Sequence, residues 1–122
     1  MPVMSGIKSV VLDTNALLMP FQFGINIDLE IRQLLGEVEV LVPSCAIAEL
    51  KGLKAKEAKA ALSLAGKYRQ VQTTLRGDEG VIEAAKEYRA AVVTNDQELI
   101  SILRKSSIPA IRMRGCQRLD FA

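Results

Sequence analysis

Four acidic residues stand at positions along this 122-residue chain from which they could share one site: Asp13, Glu49, Asp78 and Asp96. Four carboxylates in one cleft would repel one another and raise each other's pKa values unless a cation lay between them. An all-oxygen set of ligands, with no imidazole or thiolate, suits Mg²⁺ or Mn²⁺. Such an ion can activate a water molecule and neutralise charge on a phosphodiester.

The elements that would carry these acids alternate between strands and helices. Apolar runs predict strands at residues 7–12, 38–42, 91–94 and 110–113. Between them we predict helices at residues 14–19, 54–75 and 78 to about 88, and one that ends near residue 105. Two further helices are predicted from their capping residues, one after Asn26 or Asp28 and one after Ser44. The order predicts one domain, residues 1–122, with an α/β fold. We expect a three-layer α/β/α sandwich around a mostly parallel sheet of four to five strands.

This arrangement would bring the four acids to one edge of the sheet. Asp13 and Asp96 each follow a strand directly, and ligands of open parallel sheets bind at the carboxyl ends of the strands. Asp78 follows a glycine at a helix N-terminus, and Glu49 lies on the helix after the second strand. Taken singly, the three aspartates also fit helix N-caps, and Glu49 fits a solvated helix face. Helix capping alone does not require all four acids to meet at one sheet edge, so together they favour a shared site.

The composition excludes several other chemistries. The chain has no His, which removes Ser-His-Asp and Cys-His catalysis and zinc sites of the HExxH type. Cys45 and Cys116 have no metal-ligand spacing, and we expect both to be inert, with Cys45 in the core. A leader pattern and an apolar run of about 20 residues are both missing, so we expect a cytoplasmic protein without a membrane partner.

The net charge of +2 hides an uneven distribution of basic residues. Seven of them stand between residues 51 and 76 with only Glu57 opposing them, and five more lie near the C-terminus. Such segregation could form a basic surface for a polyanion, although a solvated lysine-rich helix face explains it as well. The candidates for contact with a nucleic-acid backbone are Lys51, Lys54, Arg112 and Arg114.

Four segments resemble, in order, the motifs of PIN-domain ribonucleases. They contain Leu12-Asp13-Thr14-Asn15, Ala48-Glu49-Leu50, Gly77-Asp78-Glu79 and Thr94-Asn95-Asp96, and they span nearly the whole chain. The resemblance implies an α/β/α sandwich that cleaves single-stranded RNA with Mg²⁺ or Mn²⁺. It implies metal binding by Asp13, Glu49, Asp78 and Asp96, with Asn15 and Thr94 in support. Glu79 could share the metal with Asp78, because related members often have two aspartates there.

The biological role has more than one interpretation at this point. Residues 19–24 resemble archaeal stand-alone members grouped with the nucleases that process ribosomal RNA. A toxin of a toxin–antitoxin pair and a non-catalytic module that binds RNA or protein are the alternatives. A haloacid-dehalogenase-type phosphatase fits poorly, because Asn15 stands where its second acid belongs. A homodimer, by analogy with the family, and a protein partner such as a ribosome-assembly factor or an antitoxin are further expectations.

Overall fold

A computed structural model describes residues 6–115 and 117–122, in which strands and helices alternate. Cys116 therefore lies outside the described residues. In chain order the elements are β1 (Ser9–Leu12), α1 (Thr14–Phe23), α2 (Ile27–Leu35), β2 (Glu39–Pro43), α3 (Ser44–Gly52), α4 (Lys56–Ala65), β3 (Arg69–Val71), α5 (Gly77–Tyr88), β4 (Ala91–Val93), α6 (Gln97–Lys105), β5 (Ala110–Arg114) and β6 (Arg118–Phe121). None of the helices in the described ranges has the length and apolar character needed to cross a bilayer.

The six strands form one sheet in the order β3-β2-β1-β4-β5-β6. The first five strands run parallel, and β6 pairs antiparallel with β5 at one edge. This confirms the predicted α/β fold with a mostly parallel sheet. The sheet has more strands than the predicted four to five because two edge strands, β3 and β6, were not predicted.

Helices cover both faces of the sheet and produce the three layers. Val10 and Leu12 of β1 pack into a core shared with α1, α2 and α4, whereas Val11 packs into a second core with α5 and α6. A strand buried on both faces must be apolar at every position, which explains the unbroken apolar run before Asp13. The central strands were predictable from sequence for this reason.

The predicted helix over residues 54–75 is present but shorter than predicted, since α4 spans only Lys56–Ala65. Helix α4 ends at Ala65, and the N–H of Gly66 bonds to the carbonyl oxygens of Leu62 and Ser63. The chain then forms β3, whose register aligns Val71 with Pro43 of β2. The apolar spacing of Tyr68 and Val71 matched a helix by coincidence, since Tyr68 packs from the bend after α4 and Val71 from β3.

The first helix, predicted over residues 14–19, does not end before Pro20. Helix α1 runs through Pro20 to Phe23, and Gly24, with φ of 72°, closes it by donating its N–H to the carbonyl of Pro20. A proline inside a helix removes one backbone donor and crowds the carbonyl of the preceding turn, which costs stability, but it does not end α1. The left-handed conformation that glycine adopts readily therefore sets the end of the helix.

The sheet order creates a crevice between the carboxyl ends of β1 and β4. From β1 the chain proceeds outward through β2 to β3, and then α5 returns it to β4 on the other side of β1. Helices leaving β1 and β4 therefore diverge to opposite faces. In open α/β sheets, this switch point is where ligands bind.

Candidate active site

The four predicted carboxylates line one cavity of about 260 Å³ at this switch point. Asp13 enters it from the end of β1, Asp96 from the loop after β4, Glu49 from α3 and Asp78 from the first turn of α5. Asn15, Leu18, Cys45 and Val81 complete much of the wall. Residues that are far apart in the sequence therefore meet because parallel strands deliver their carboxyl ends to one edge.

Asp13 is the most deeply buried of the four acids, with 7% of its surface exposed. Its Oδ1 accepts a hydrogen bond of 2.7 Å from the N–H of Ala16 and caps α1. Burial raises the pKa of Asp13 to about 7, and the charges of Asp78 and Asp96 add to the rise, while hydrogen bonds from Thr94 and Ala16 oppose it. Its side chain thus caps a helix and also carries a charge that burial disfavours.

Asp96 is fixed by its own helix and by Thr94. Its Oδ1 accepts hydrogen bonds from the N–H groups of Glu98 and Leu99, at 2.9 and 3.3 Å, and so caps α6. The fully buried Thr94 accepts the N–H of Asp96 on its hydroxyl oxygen at 3.0 Å. Only Oδ1 takes part in capping, which leaves Oδ2 of Asp96 for a ligand.

Asn15 supports the same loop from the other side of the cleft. Its Oδ1 accepts the N–H of Asn95 at 2.9 Å, and Oδ1 of Asn95 in turn accepts the N–H of Met113 on β5. Both residues assigned supporting positions, Asn15 and Thr94, therefore contact the segment that carries Asp96.

Asp78 and Glu49 face each other from α5 and α3. Asp78 does not cap α5, because the capping position belongs to Arg76, which makes no side-chain capping bond. Partial burial raises the pKa of Asp78, and the charges of Asp96, Glu49 and Glu98 raise it further. Glu49 is exposed to solvent at the cleft mouth. Asp78 therefore lies within electrostatic reach of Asp96 and Glu49, and Asp13 within reach of Asp78 and Asp96.

The cleft has excess negative charge. The ion pairs of the described residues join Lys67 to Asp28, Arg69 to Glu39 and Arg114 to Asp120, and none of them includes an acid of the cleft. Over the same residues, no three His, Cys, Asp or Glu side chains form a ready-made metal cage. Mg²⁺ typically binds through one or two carboxylates plus waters and substrate phosphate, so an open, all-oxygen cleft fits it without a cage.

The packing of α3 against α5 depends on Cys45 and on Gly80, which the sequence did not single out. A Cβ on Gly80 would lie 2.5 Å from the carbonyl oxygen of Leu75 and 2.6 Å from Sγ of Cys45. Cys45 is half-buried, since it packs against the second core, as expected, and also lines the cleft; burial raises the pKa of its thiol. The only sequence signal was a glycine inside the first turn of a helix, where glycine costs stability.

Loop 72–76 before α5 is held by two side-chain contacts. Ser44 was predicted to cap α3, but it makes no capping bond. Its Oγ instead accepts a hydrogen bond from the N–H of Thr73 at 2.9 Å and lies 3.1 Å from the Thr73 hydroxyl. The Glu83 carboxylate accepts the N–H groups of Thr74 and Leu75 and the hydroxyl of Thr74, at 2.9 to 3.1 Å. These contacts fix the loop that delivers Asp78.

Not every predicted residue joins the cleft. Glu79 is exposed and lines a separate groove with Ile82 and Ile102, because adjacent helix residues point about 100° apart. Arg114 is occupied by Asp120 and by the carbonyl of Phe121 across the β5–β6 pair. Arg112 is half-buried, and its Nε has no hydrogen-bond partner among the described residues. Lys51 and Lys54 line a groove beside the cleft.

Comparisons with known proteins agree with this geometry. A family model described as a PIN like domain matches residues 10–116. Ribonuclease VapC9 of Archaeoglobus fulgidus is 30% identical over 120 residues, which cover 93% of this chain and 88% of that protein. Ribonuclease VapC4 of Methanocaldococcus jannaschii is 35% identical over 117 residues, which cover 86% of this chain and 89% of that protein.

Solved structures share the fold at lower identity. The PIN domain endonuclease Utp24 superposes with a TM-score of 0.80 at 22% identity, covering 93% of this chain and 90% of that one. A domain of a functionally unknown protein from Methanocaldococcus jannaschii superposes with a TM-score of 0.67 at 16% identity, covering 88% of this chain and 92% of that one. By its family match, its curated relatives and its fold, the chain belongs to the PIN-domain ribonuclease family.

Proposed function

We propose that this protein is a divalent-metal-dependent endoribonuclease that cleaves single-stranded RNA. The observation that carries the proposal is the meeting of Asp13, Glu49, Asp78 and Asp96 in one cleft where no described cation pairs with them. Support comes from the relatives that are named ribonucleases and from the structural neighbour that is named an endonuclease.

The four carboxylates surround the place where we propose that Mg²⁺ or Mn²⁺ binds, and one or two of them at a time would hold the ion together with waters and substrate phosphate. When bound, it supplies Lewis-acid activation of a water molecule and neutralisation of charge on the phosphodiester. Asp13 and Asp96 are oriented by their capping bonds, so their carboxylates are positioned before substrate arrives. Asn15 and Thr94 hold the Asp96 loop, and exposed Glu49 has the freedom to adjust to the substrate.

The test is cleavage of end-labelled single-stranded RNA with Mn²⁺ or Mg²⁺ by the wild type and by Asp13→Asn and Asp96→Asn. Asparagine keeps the oxygen that caps each helix, so both variants should fold. We expect cleavage to fall by at least about a hundredfold, since the carboxylates support an ion that contributes several kcal/mol of transition-state stabilisation. Calorimetry should show weaker Mn²⁺ binding in both variants.

The matched control is Glu87→Gln, which removes a carboxylate from an exposed position near the end of α5. It should cleave RNA and bind Mn²⁺ like the wild type. Equal cleavage by wild type, Asp13→Asn and Asp96→Asn would reject the catalytic assignment. RNA binding without any cleavage by the wild type would instead identify a non-catalytic PIN module.

Precursor ribosomal RNA is our proposed substrate, on the resemblance of residues 19–24 to the processing group. A homodimer and a ribosome-assembly factor as partner belong to the same proposal. Similarity to two VapC ribonucleases favours a second candidate, a toxin controlled by an antitoxin. Induced expression distinguishes the two roles, because a toxin arrests growth unless Asp96→Asn is present, whereas a processing nuclease leaves growth unaffected.

A further inference from the structure

A second groove lies between α3 and α4, and its rim is basic. It has a volume of about 520 Å³ and is lined by Lys51, Lys54, Lys56 and Lys59, which are half of the lysines of the chain. All four are exposed, and no carboxylate lines the groove. Its floor is aliphatic, from residues such as Leu50, Leu53 and Leu62. We call this feature the lysine groove.

The lysine groove adjoins the acidic cleft through helix α3. Ala46 lines the cleft, and Leu50, one turn later on the same face, lines the groove. One turn of α-helix advances about 5.4 Å. Glu49 and Lys51, on the same turn, likewise belong to the cleft and to the groove. Helix α3 therefore contributes to both the cleft and the lysine groove within one turn.

The start of α4 adds to the positive potential. Its capping position, Ala55, makes no side-chain capping bond, so the N–H of Lys56 remains available at the groove, whereas the N–H of Ala58 bonds to the carbonyl oxygen of Ala55. Helix N-termini of this kind favour anions. Lys56 in the first turn opposes the helix dipole and costs stability there. Glu57 in the same turn does not line the groove, so it leaves the basic rim uninterrupted.

The four lysines are also free of carboxylate partners within the described ranges. Lys67, which lies outside the lysine groove, pairs with Asp28 at 3.1 Å. The lysine groove therefore offers unneutralised cations to a polyanion.

We propose that the lysine groove holds the phosphate backbone of single-stranded RNA on one side of the scissile bond. This inference rests on the ribonuclease function proposed above. Lysine ammonium groups on flexible stems suit phosphates as point charges, and phosphate contacts position a strand without reading its bases. The aliphatic floor has no aromatic platform, so the groove accepts any base. An RNA strand is favoured over an acidic protein because α3 contributes residues both to the groove and to the cleft that we propose to cleave RNA.

The test measures RNA binding in EDTA, on an Asp13→Asn background, across a range of NaCl concentrations. The groove variant carries Lys51→Gln, Lys54→Gln and Lys59→Gln. The control carries Lys8→Gln, Lys86→Gln and Lys105→Gln, which remove the same charge from exposed sites outside the groove and the cleft. Polyuridylate and polyglutamate serve as the two polyanion probes.

We expect the groove variant to bind polyuridylate on the order of tenfold more weakly at low salt, with a salt slope shallower by about 2, since each lost phosphate contact removes about 0.7. The control variant should bind within about twofold of its parent. Equal losses in both triple variants, or no loss in either, would overturn the proposal. Loss of polyglutamate binding with polyuridylate binding intact would also overturn it and assign the groove to an acidic protein.

A small substrate shows whether a negative result contradicts the proposed role of the lysine groove or the proposed nuclease activity of the cleft. Bis-p-nitrophenyl phosphate with Mn²⁺ needs only the cleft, so protein with an intact Asp13 should hydrolyse it equally with and without the three groove substitutions. If neither protein hydrolyses it, the proposed nuclease function is at fault, and the binding experiment still decides the groove.

Discussion

Asn15 accepts the backbone N–H of Asn95 on its side-chain oxygen over 2.9 Å and so joins two residues eighty positions apart at the mouth of the cleft. Asn95 passes the connection on to Met113 of β5 through its own side-chain oxygen. Two short amide side chains thereby tie the carboxyl ends of β1 and β4 to β5. The segment they hold in place is the one that carries Asp96.

Asn15→Ala should lower the rate of RNA cleavage by up to about tenfold, with a smaller effect on folding. A hydrogen bond of this kind contributes about 1 kcal/mol, and 1.4 kcal/mol corresponds to a tenfold change in rate. Steady-state cleavage kinetics check it. Asn26→Ala is the matched control, because it removes the cap of α2 and should lower stability without changing cleavage. Unchanged kinetics in Asn15→Ala would contradict the role of Asn15.

The metal-free protein should become less stable as pH rises from 4 to 7. The pKa of Asp13 is raised from 3.8 to about 7 by burial, so in this window the folded state binds more protons than the unfolded state. The free energy of unfolding then falls with pH, by up to about 4 kcal/mol for a shift of three units, at 1.36 kcal/mol each. Asp78, whose pKa is also raised, adds to the trend.

Urea denaturation at a series of pH values in EDTA measures this dependence. Asp13→Asn should flatten the profile between pH 4 and 7, and added Mn²⁺ should restore stability at pH 7 by displacing the proton. A wild-type profile that rises over this window would contradict the burial effect. The pKa values of three other carboxyls are lowered in the folded protein, so these groups stabilise the fold when they are ionised. That stabilisation is lost at lower pH, where protonation occurs; the three are Asp28, Glu83 and Asp120.

Glu83→Ala should release loop 72–76. The Glu83 carboxylate accepts three donors from Thr74 and Leu75, and these bonds lower its pKa. Loss of the contacts should expose the peptide bond after Arg76 to trypsin and lower the rate of RNA cleavage through Asp78. Mass spectrometry of limited digests measures the first effect. Glu87→Ala, one turn further along α5, is the control and should be cleaved by trypsin at the same rate as the wild type. If Glu83→Ala is also cleaved at the wild-type rate, the Glu83 contacts do not hold the loop.

Gly80→Ala should destabilise the protein by about 1–3 kcal/mol, the usual cost of overpacking. The added Cβ would meet both the Leu75 carbonyl oxygen and Sγ of Cys45. Adding Cys45→Ala should restore only part of the loss, since it removes the sulfur and leaves the backbone oxygen in place. Thermal melts of the single and double variants measure this. Full rescue would show that the backbone adjusts freely.

Particular residues show how much the sequence could predict. Because β1 and β4 are buried on both faces, their apolar runs predicted where each strand ends: Asp13 follows β1 directly, whereas Asp96 lies after Thr94 and Asn95 in the loop beyond β4. Helix α5 was also predicted almost to its observed ends. Strand β3 was not predicted, because only Val71 of its three residues is buried and an edge strand has no apolar pattern of its own.

The sequence by itself determined the alternation of strands and helices, and with it the edge of the sheet where the acids meet, because period and burial are local properties of the chain. Tertiary structure alone decided which charges remain free. Arg114 is occupied by Asp120, Glu79 turns away from Asp78, and Lys51 opens onto a groove beside Glu49. These outcomes depend on strand pairing and helix packing between distant segments, which no local pattern specifies.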